Sequence, residues 1–213
     1  MSFRIILADD HPLILTGVRS LIEKTIAGGE VVAEASSVSE LFSLLKQYEC
    51  ELLISDMSMP SDESKDGLIM FKRLRQEYPN LPIIVLTQIH NGAILRALVN
   101  VGVNSIISKK SLNDELAHAI SEVLLGNCYI SQSLGLLPSH KGISFQKKTL
   151  PSLTAKESEV IRLLASGMSV TQVANHLHRS IKTISSQKKS AMIKLNIASD
   201  GALFEYTRMS GLY

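Results

Sequence analysis

Hydrophobic positions change period part-way along this chain. Up to about Leu124, short aliphatic runs alternate with stripes at helical spacing, and beyond Leu150 only the helical spacing remains. The short runs are Arg4–Ala8, Val31–Ala35, Leu52–Ser55, Ile83–Leu86 and Ser105–Ser108. They are rich in β-branched and aliphatic side chains, as strands covered on both faces of a parallel sheet tend to be. Between them, Leu13, Ile14, Val18, Leu21 and Ile22 form one helical stripe, with Pro12 suited to that helix's first turn. Leu41, Leu44 and Leu45 form the second, and Leu68, Phe71 and Leu74 the third. Ile94, Leu95, Leu98 and Val101 form the fourth, and Leu116, Ile120, Val123 and Leu124 the fifth. Five strands alternating with five helices predict a doubly wound α/β domain.

The C-terminal pattern is purely helical. Thr154 with Glu157 three residues on makes a capping box, Val160, Leu163 and Leu164 form the stripe, and Gly167 ends the helix. Ser169 caps a second, short helix with Val170, Val173, Ala174 and Leu177 on one face. His178 and Arg179 separate it from Ser180, which opens SIKTISSQKKSAMIKL. At about 100° per residue, that stretch gathers Ile181, Ile184, Ala191, Met192 and Leu195 on one side. Lys182, Ser185, Ser186 and Lys189 gather on the other, and the stretch contains no carboxylate. Ala202, Leu203 and Tyr206 mark a last helix. Two short helices joined by a tight turn, the second one basic, read as a helix-turn-helix. Lysines answer phosphates, and short hydroxyls can approach base edges.

The polar residues of the first half concentrate at strand ends. Asp9, Asp10, Asp56, Thr87 and Lys109 all follow or close predicted strands. In an open parallel sheet, that edge is where ligands bind. Singly, each has a bland reading, since an Asp after a strand often caps the next helix. Together they form a chemistry. Three carboxylates repel unless a cation intervenes, and oxygen ligands suit Mg²⁺. A carboxylate can attack phosphorus to form an aspartyl phosphate, while a lysine and a hydroxyl hold the phosphoryl oxygens.

Charge divides the chain in the same place. Residues 1–130 carry 11 Lys and Arg against 16 Asp and Glu, whereas residues 131–213 carry 11 against 4. An acidic half joined to a basic half predicts two domains, the second facing a polyanion. Glycine, proline and serine between Ser131 and Leu150 read as a linker, where Lys141, Lys147 and Lys148 chiefly serve solubility. The boundaries read as 1–128, 129–149 and 150–213. No apolar run is long enough for a membrane span, and the N-terminus lacks a signal peptide's regions. Cys50 and Cys128 show no ligand spacing. A cytoplasmic protein with reduced thiols and no membrane partner is expected.

IILADDHP, LLISDMSMP, IIVLTQ and SIISKK resemble the motifs of bacterial response-regulator receiver domains over residues 3–126. The resemblance implies a flavodoxin-like (βα)5 fold in strand order 2-1-3-4-5. It implies Asp56 as phosphoacceptor and Mg²⁺ held by Asp9, Asp10, Asp56 and the backbone carbonyl of Ser58. It also implies Thr87 and Lys109 as switch and phosphate-binding residues. The sequence departs from the family at Ile106, commonly aromatic, and at Gln88, where a small residue is frequent. The loop MPSDESKDG is longer than usual and reads as a surface insertion.

The C-terminal segment is similar to the LuxR-type domain of the NarL/FixJ class, matching its pattern at Thr183, Ile184, Lys194 and Leu195. It departs from the pattern at Gln187, Lys188 and Ala191. This likeness implies that Ser185, Ser186 and Lys189 face bases. Lys182, Thr183, Lys188 and Lys194 complete the DNA-binding set.

The combined reading is a transcription regulator that binds double-stranded DNA, controlled by phosphorylation of Asp56. A histidine kinase or histidine phosphotransfer protein is the donor, and a homodimer forms on DNA. One alternative is an auxiliary regulator that binds DNA as a heterodimer without phosphate. A second is an aspartyl-phosphate phosphatase. The latter is disfavoured because Ser58 stands where its second carboxylate belongs. A turnover enzyme is not expected.

Overall fold

A computed structural model describes residues 2–60, 67–135 and 153–212. The first domain runs β1 (Phe3–Ala8), α1 (Pro12–Thr25), β2 (Gly29–Ala35), α2 (Val38–Gln47), β3 (Leu52–Asp56), α3 (Gly67–Glu77) and β4 (Ile83–Thr87). It continues through α4 (Gly92–Val101), β5 (Ser105–Ser108), α5 (Leu112–Leu124) and β6 (Tyr129–Ile130). All pairings are parallel, in the order β2-β1-β3-β4-β5-β6. This is the expected flavodoxin-like order with one added strand.

Alternate strand residues feed two cores. Ile6, Leu53, Val85 and Ile106 pack with α2, α3 and α4, while Ile5, Ile54, Ile84, Leu86 and Ile107 pack with α1 and α5. Both faces are covered, which is why the strand sequences lack polar alternation.

The added strand begins beyond the expected boundary at Cys128. Tyr129 and Ile130 pair with Ser105 and Ile106, and Ser131 and Leu134 are buried. The sixth strand closes the ladder edge that four-residue β5 would otherwise leave open. Linker residues beyond Gly135, including Lys141, Lys147 and Lys148, lie outside the described residues, as do residues 61–66 of the long loop.

Two stripe residues turn outward. Leu13 is 86% exposed, because it lies about 180° around α1 from buried Ile22. Leu124 ends α5 on the solvent side, where Leu116, Ile120 and Val123 supply the buried face.

The second domain comprises α6 (Ala155–Ala165), α7 (Val170–His176), α8 (Ile181–Leu195) and α9 (Asp200–Ser210). Capping boxes at Thr154/Glu157 and Ser169/Gln172 start α6 and α7, and the Ser180 hydroxyl accepts from the Thr183 amide to start α8. His178 takes a left-handed conformation in the α7–α8 turn. Arg179 pins that turn to Glu159 of α6 at 3.0 Å. Val160, Ile161, Leu164, Val173, Ala174, Ile184, Ala191, Leu195 and Leu203 form the core. Ile181, expected in that core, is 52% exposed. It is the first residue of α8, one turn before Ile184 enters the packing.

Glu157 ties this domain together. Its buried carboxylate accepts from Lys194 Nζ, the Thr154 amide and Ser190 Oγ, each at 2.7 Å. Lys194, then the Thr154 amide and Ser190, hold its pKa down at about 2. A depressed carboxylate contributes stability above its ordinary pKa and loses it as pH falls toward 2. Glu157→Ala should therefore destabilise the helical domain by about 2 kcal/mol at neutral pH. That is a drop of roughly 10 °C in its melting transition by calorimetry. The variant should also show a weaker loss of stability between pH 5 and pH 2.

Candidate acidic pocket and nucleic-acid interface

The sheet brings together what the strand ends predicted. Asp9 follows β1, Asp56 closes β3, Thr87 closes β4, and Lys109 follows β5. Parallel pairing puts these ends at one edge. Lys109 Nζ lies 2.7 Å from Asp9 Oδ2 and 3.1 Å from Asp56 Oδ1, with its side chain 6% exposed. Its ammonium bridges two carboxylates that would otherwise repel. The Met57 amide donates to Asp56 Oδ1 at 2.7 Å.

Asp10 is partly exposed at the pocket rim. His11, which the residue-by-residue reading passed over, completes the group. Its Nδ1 lies 3.1 Å from Asp9 Oδ1 and 2.7 Å from Asp10 Oδ1. Its place directly after the acid pair was the available signal. Ligand atoms of Asp9, Asp10, His11 and Asp56 lie within 4.8 Å of one another. Such an oxygen-rich set is what a hard divalent cation takes.

Thr87 is buried, and its hydroxyl accepts from the Ile89 amide at 3.0 Å. It belongs to the same edge but is turned onto its own loop. Ser58, two residues beyond Asp56, is half-buried. Ile106 is fully buried in the core beside α4.

Burial pushes the Asp56 carboxyl up to about 6; Lys109 opposes the rise, and Asp9 adds to it. Asp56 therefore sits in a pocket that resists an isolated negative charge.

On α8, Lys182, Ser185, Ser186 and Lys189 are exposed on one face. The other predicted contacts are differently placed. Thr183 Oγ1 lies 2.8 Å from the Ser180 hydroxyl within the helix cap. Lys188 Nζ pairs with Asp200 at 2.7 Å, and Lys194 pairs with Glu157. The open face thus consists of two lysines and two serines, with the flanking lysines engaged by acids of their own domain.

Residues 5–121 match the response regulator receiver domain, and residues 151–207 match the bacterial regulatory proteins of the luxR family. The chain belongs to the response regulators with a luxR-type domain. It is 40% identical to the transcriptional regulatory protein RcsB of Salmonella typhi over 206 residues, which cover 96% of this chain and 94% of that protein. Among solved structures, Salmonella enterica serovar Typhimurium RcsB bound to promoter P1flhDC with phosphomimetic BeF3⁻ superposes with a TM-score of 0.86. That match has 38% identity and covers 98% of this chain and 99% of that one. Another Salmonella typhimurium RcsB structure, from a study of conformational dynamism for DNA interaction, superposes at 0.60. It too is 38% identical, covering 96% of this chain and 98% of that one. Among the described residues, no helix is long and apolar enough to cross a membrane.

The raised pKa of Asp56 has a consequence for stability. A carboxyl whose folded pKa is raised contributes stability below its unfolded pKa, near 4, and loses it as pH rises through about 6. Asp56→Asn, which cannot ionise, should therefore stabilise the metal-free protein by about 2 kcal/mol at pH 7.5. The difference should vanish at pH 4, as read by urea unfolding at the two pH values.

Proposed function

We propose that this response regulator binds double-stranded DNA under the control of phosphoryl transfer to Asp56. The support that carries most weight is the gathering of Asp9, Asp56, Thr87 and Lys109 at one buried sheet edge, while α8 keeps its lysine–serine face open. The first arrangement suits acyl phosphate chemistry, and the second suits a duplex.

A phosphohistidine of a histidine kinase or phosphotransfer protein is the donor. An Asp56 carboxylate oxygen attacks phosphorus, the P–N bond to histidine breaks, and the histidine nitrogen keeps the electron pair. Asp9, Asp10, Asp56 and the Ser58 carbonyl would hold Mg²⁺, which when bound offsets charge on the phosphoryl oxygens. Lys109 already touches Asp56 and is placed to follow one phosphoryl oxygen. The Thr87 hydroxyl accepts from the Ile89 amide and keeps its proton to donate to another phosphoryl oxygen, and turning to reach that oxygen pulls on the β4–α4 corner. An aspartyl phosphate carries roughly −1.5 to −2 charge where the carboxylate carried −1, and adds three acceptor oxygens, which together bias a two-state receiver.

Salmonella RcsB occupies promoter P1flhDC in the arrangement that this chain matches at 0.86. We carry that mode over. Two copies meet half-sites about one helical turn apart, roughly 34 Å. Lys182 and Lys189 contact phosphates or guanine edges, and Ser185 and Ser186 approach the bases. Lys188, Lys194 and Thr183 reach DNA only by leaving Asp200, Glu157 and Ser180. The protein works in the cytoplasm as a regulator, with no small-molecule turnover.

Two measurements test this. Duplex binding at fixed salt should tighten when Mg²⁺ and acetyl phosphate are added to wild type, and should not respond in Asp56→Ala. The same variant should lose acid-labile phosphate labelling. Labelling that persists removes Asp56 as the acceptor. Lys189→Ala should weaken binding to all sequences and reduce the slope of log K against log salt by about one. An unchanged slope places Lys189 off the duplex.

A further inference from the structure

The two domains meet along α3, α4 and α9, and the packing there is interpenetrating. Ala93 of α4 is buried within the core of the helical domain, while Met209 of α9 is buried within the core of the α/β domain. Backbones approach closely. A Cβ at Gly67 would sit 3.0 Å from the Met209 carbonyl oxygen, and one at Gly211 would collide with Ile69.

Two polar side chains of the receiver reach across. The Asn91 amide donates to the Ala202 carbonyl and to Glu205 Oε2, both at 2.9 Å, while its Oδ1 caps α4 by accepting from the Ala93 amide. Arg96 donates to the Leu195 carbonyl at 2.8 Å and to that of Asn196 at 3.4 Å. Those carbonyls end α8, where a cation meets both unpaired acceptors and the negative end of the helix dipole. Burial lowers the Arg96 pKa, consistent with a guanidinium drawn out of water.

The contacts fall on Leu195, Asn196, Ala202, Glu205 and Met209. None falls on Lys182, Ser185, Ser186 or Lys189, which remain exposed. The receiver therefore grips the recognition helix by its C-terminal end and leaves its lysine–serine face open. The grip begins two residues beyond Ile89, whose amide holds the Thr87 hydroxyl.

We propose that Asn91 and Arg96 are positioning residues for DNA binding: the docked arrangement presents α8 to the duplex, and docking promotes binding. The proposal rests on the DNA-binding reading above. It predicts that undocking weakens binding, whereas a blocking contact would predict the opposite.

The test uses the full chain with Mg²⁺ and acetyl phosphate, at fixed salt, on a P1flhDC promoter duplex. Asn91→Asp keeps a cap for α4 and sets a carboxylate against Glu205. It should weaken binding about tenfold. Phosphate labelling of Asp56 and the salt slope should not change, and amide exchange should rise in α4 and α9. Adding Glu205→Gln, which restores a donor–acceptor pair with the roles reversed, should recover much of the affinity. Arg96→Gln, a second route to the same undocking, should weaken binding in the same direction. Equal affinity in both Asn91→Asp and Arg96→Gln overturns the positioning role while the DNA-binding reading stands. Tighter binding in either variant overturns it too and makes the contact a brake. Wild type that binds no duplex removes the DNA-binding reading and this proposal with it.

Discussion

Negative charge is crowded at one edge of the parallel sheet, where Asp9, Asp10 and Asp56 meet. Asp9 and Asp56 are both nearly buried, and water can screen neither. Two ionised carboxylates in that setting destabilise the fold unless positive charge sits between them. Lys109 supplies it, at hydrogen-bonding distance from both. The cost of Asp56's remaining desolvation appears in its raised pKa. A site held in that condition is sensitive to any change in local charge, whether a divalent cation or a phosphoryl group.

The helical domain solves a different problem with the same kind of interaction. Helix α8 keeps one face free of packing and free of acids, so its stability has to come from the other face and from its ends. Ile184, Ala191 and Leu195 supply the buried face. Ser180 starts the helix, and Glu157 anchors it through Ser190 and Lys194. Internal acids also restrain Lys188 and Lys194, which narrows the open basic surface to Lys182 and Lys189 with the two serines between them. The receiver reaches the same helix from its far end through Arg96, so the two domains share α8 as a common part.

Much of this is legible in local sequence patterns. Continuous aliphatic runs and helical stripes identify the α/β domain because a strand buried on both faces needs apolar side chains at every position. The strand-end location of Asp9, Asp56, Thr87 and Lys109 follows from parallel connectivity, which puts all C-terminal ends on one edge. The caps at Thr154, Ser169 and Ser180 were legible because capping is local chemistry, decided within four residues. Periodicity was less able to rank residues within a stripe. Leu13 and Ile181 belong to apolar stripes yet lie exposed, Leu13 because it sits on the side of α1 opposite Ile22 and Ile181 because it starts α8 one turn before the packing begins.

Element types, their order, the strand-end acids and the carboxylate-free helix are legible without the fold, because each depends on neighbours along the chain. The fold was needed for three things. The chain past Cys128 adds a strand beside Ile106. Lys188 and Lys194 turn to Asp200 and Glu157. Asn91 and Arg96 reach residues about a hundred positions away. These are pairings between residues well separated along the chain. Each depends on distance and burial in three dimensions, to which no local pattern of hydrophobic and polar residues corresponds.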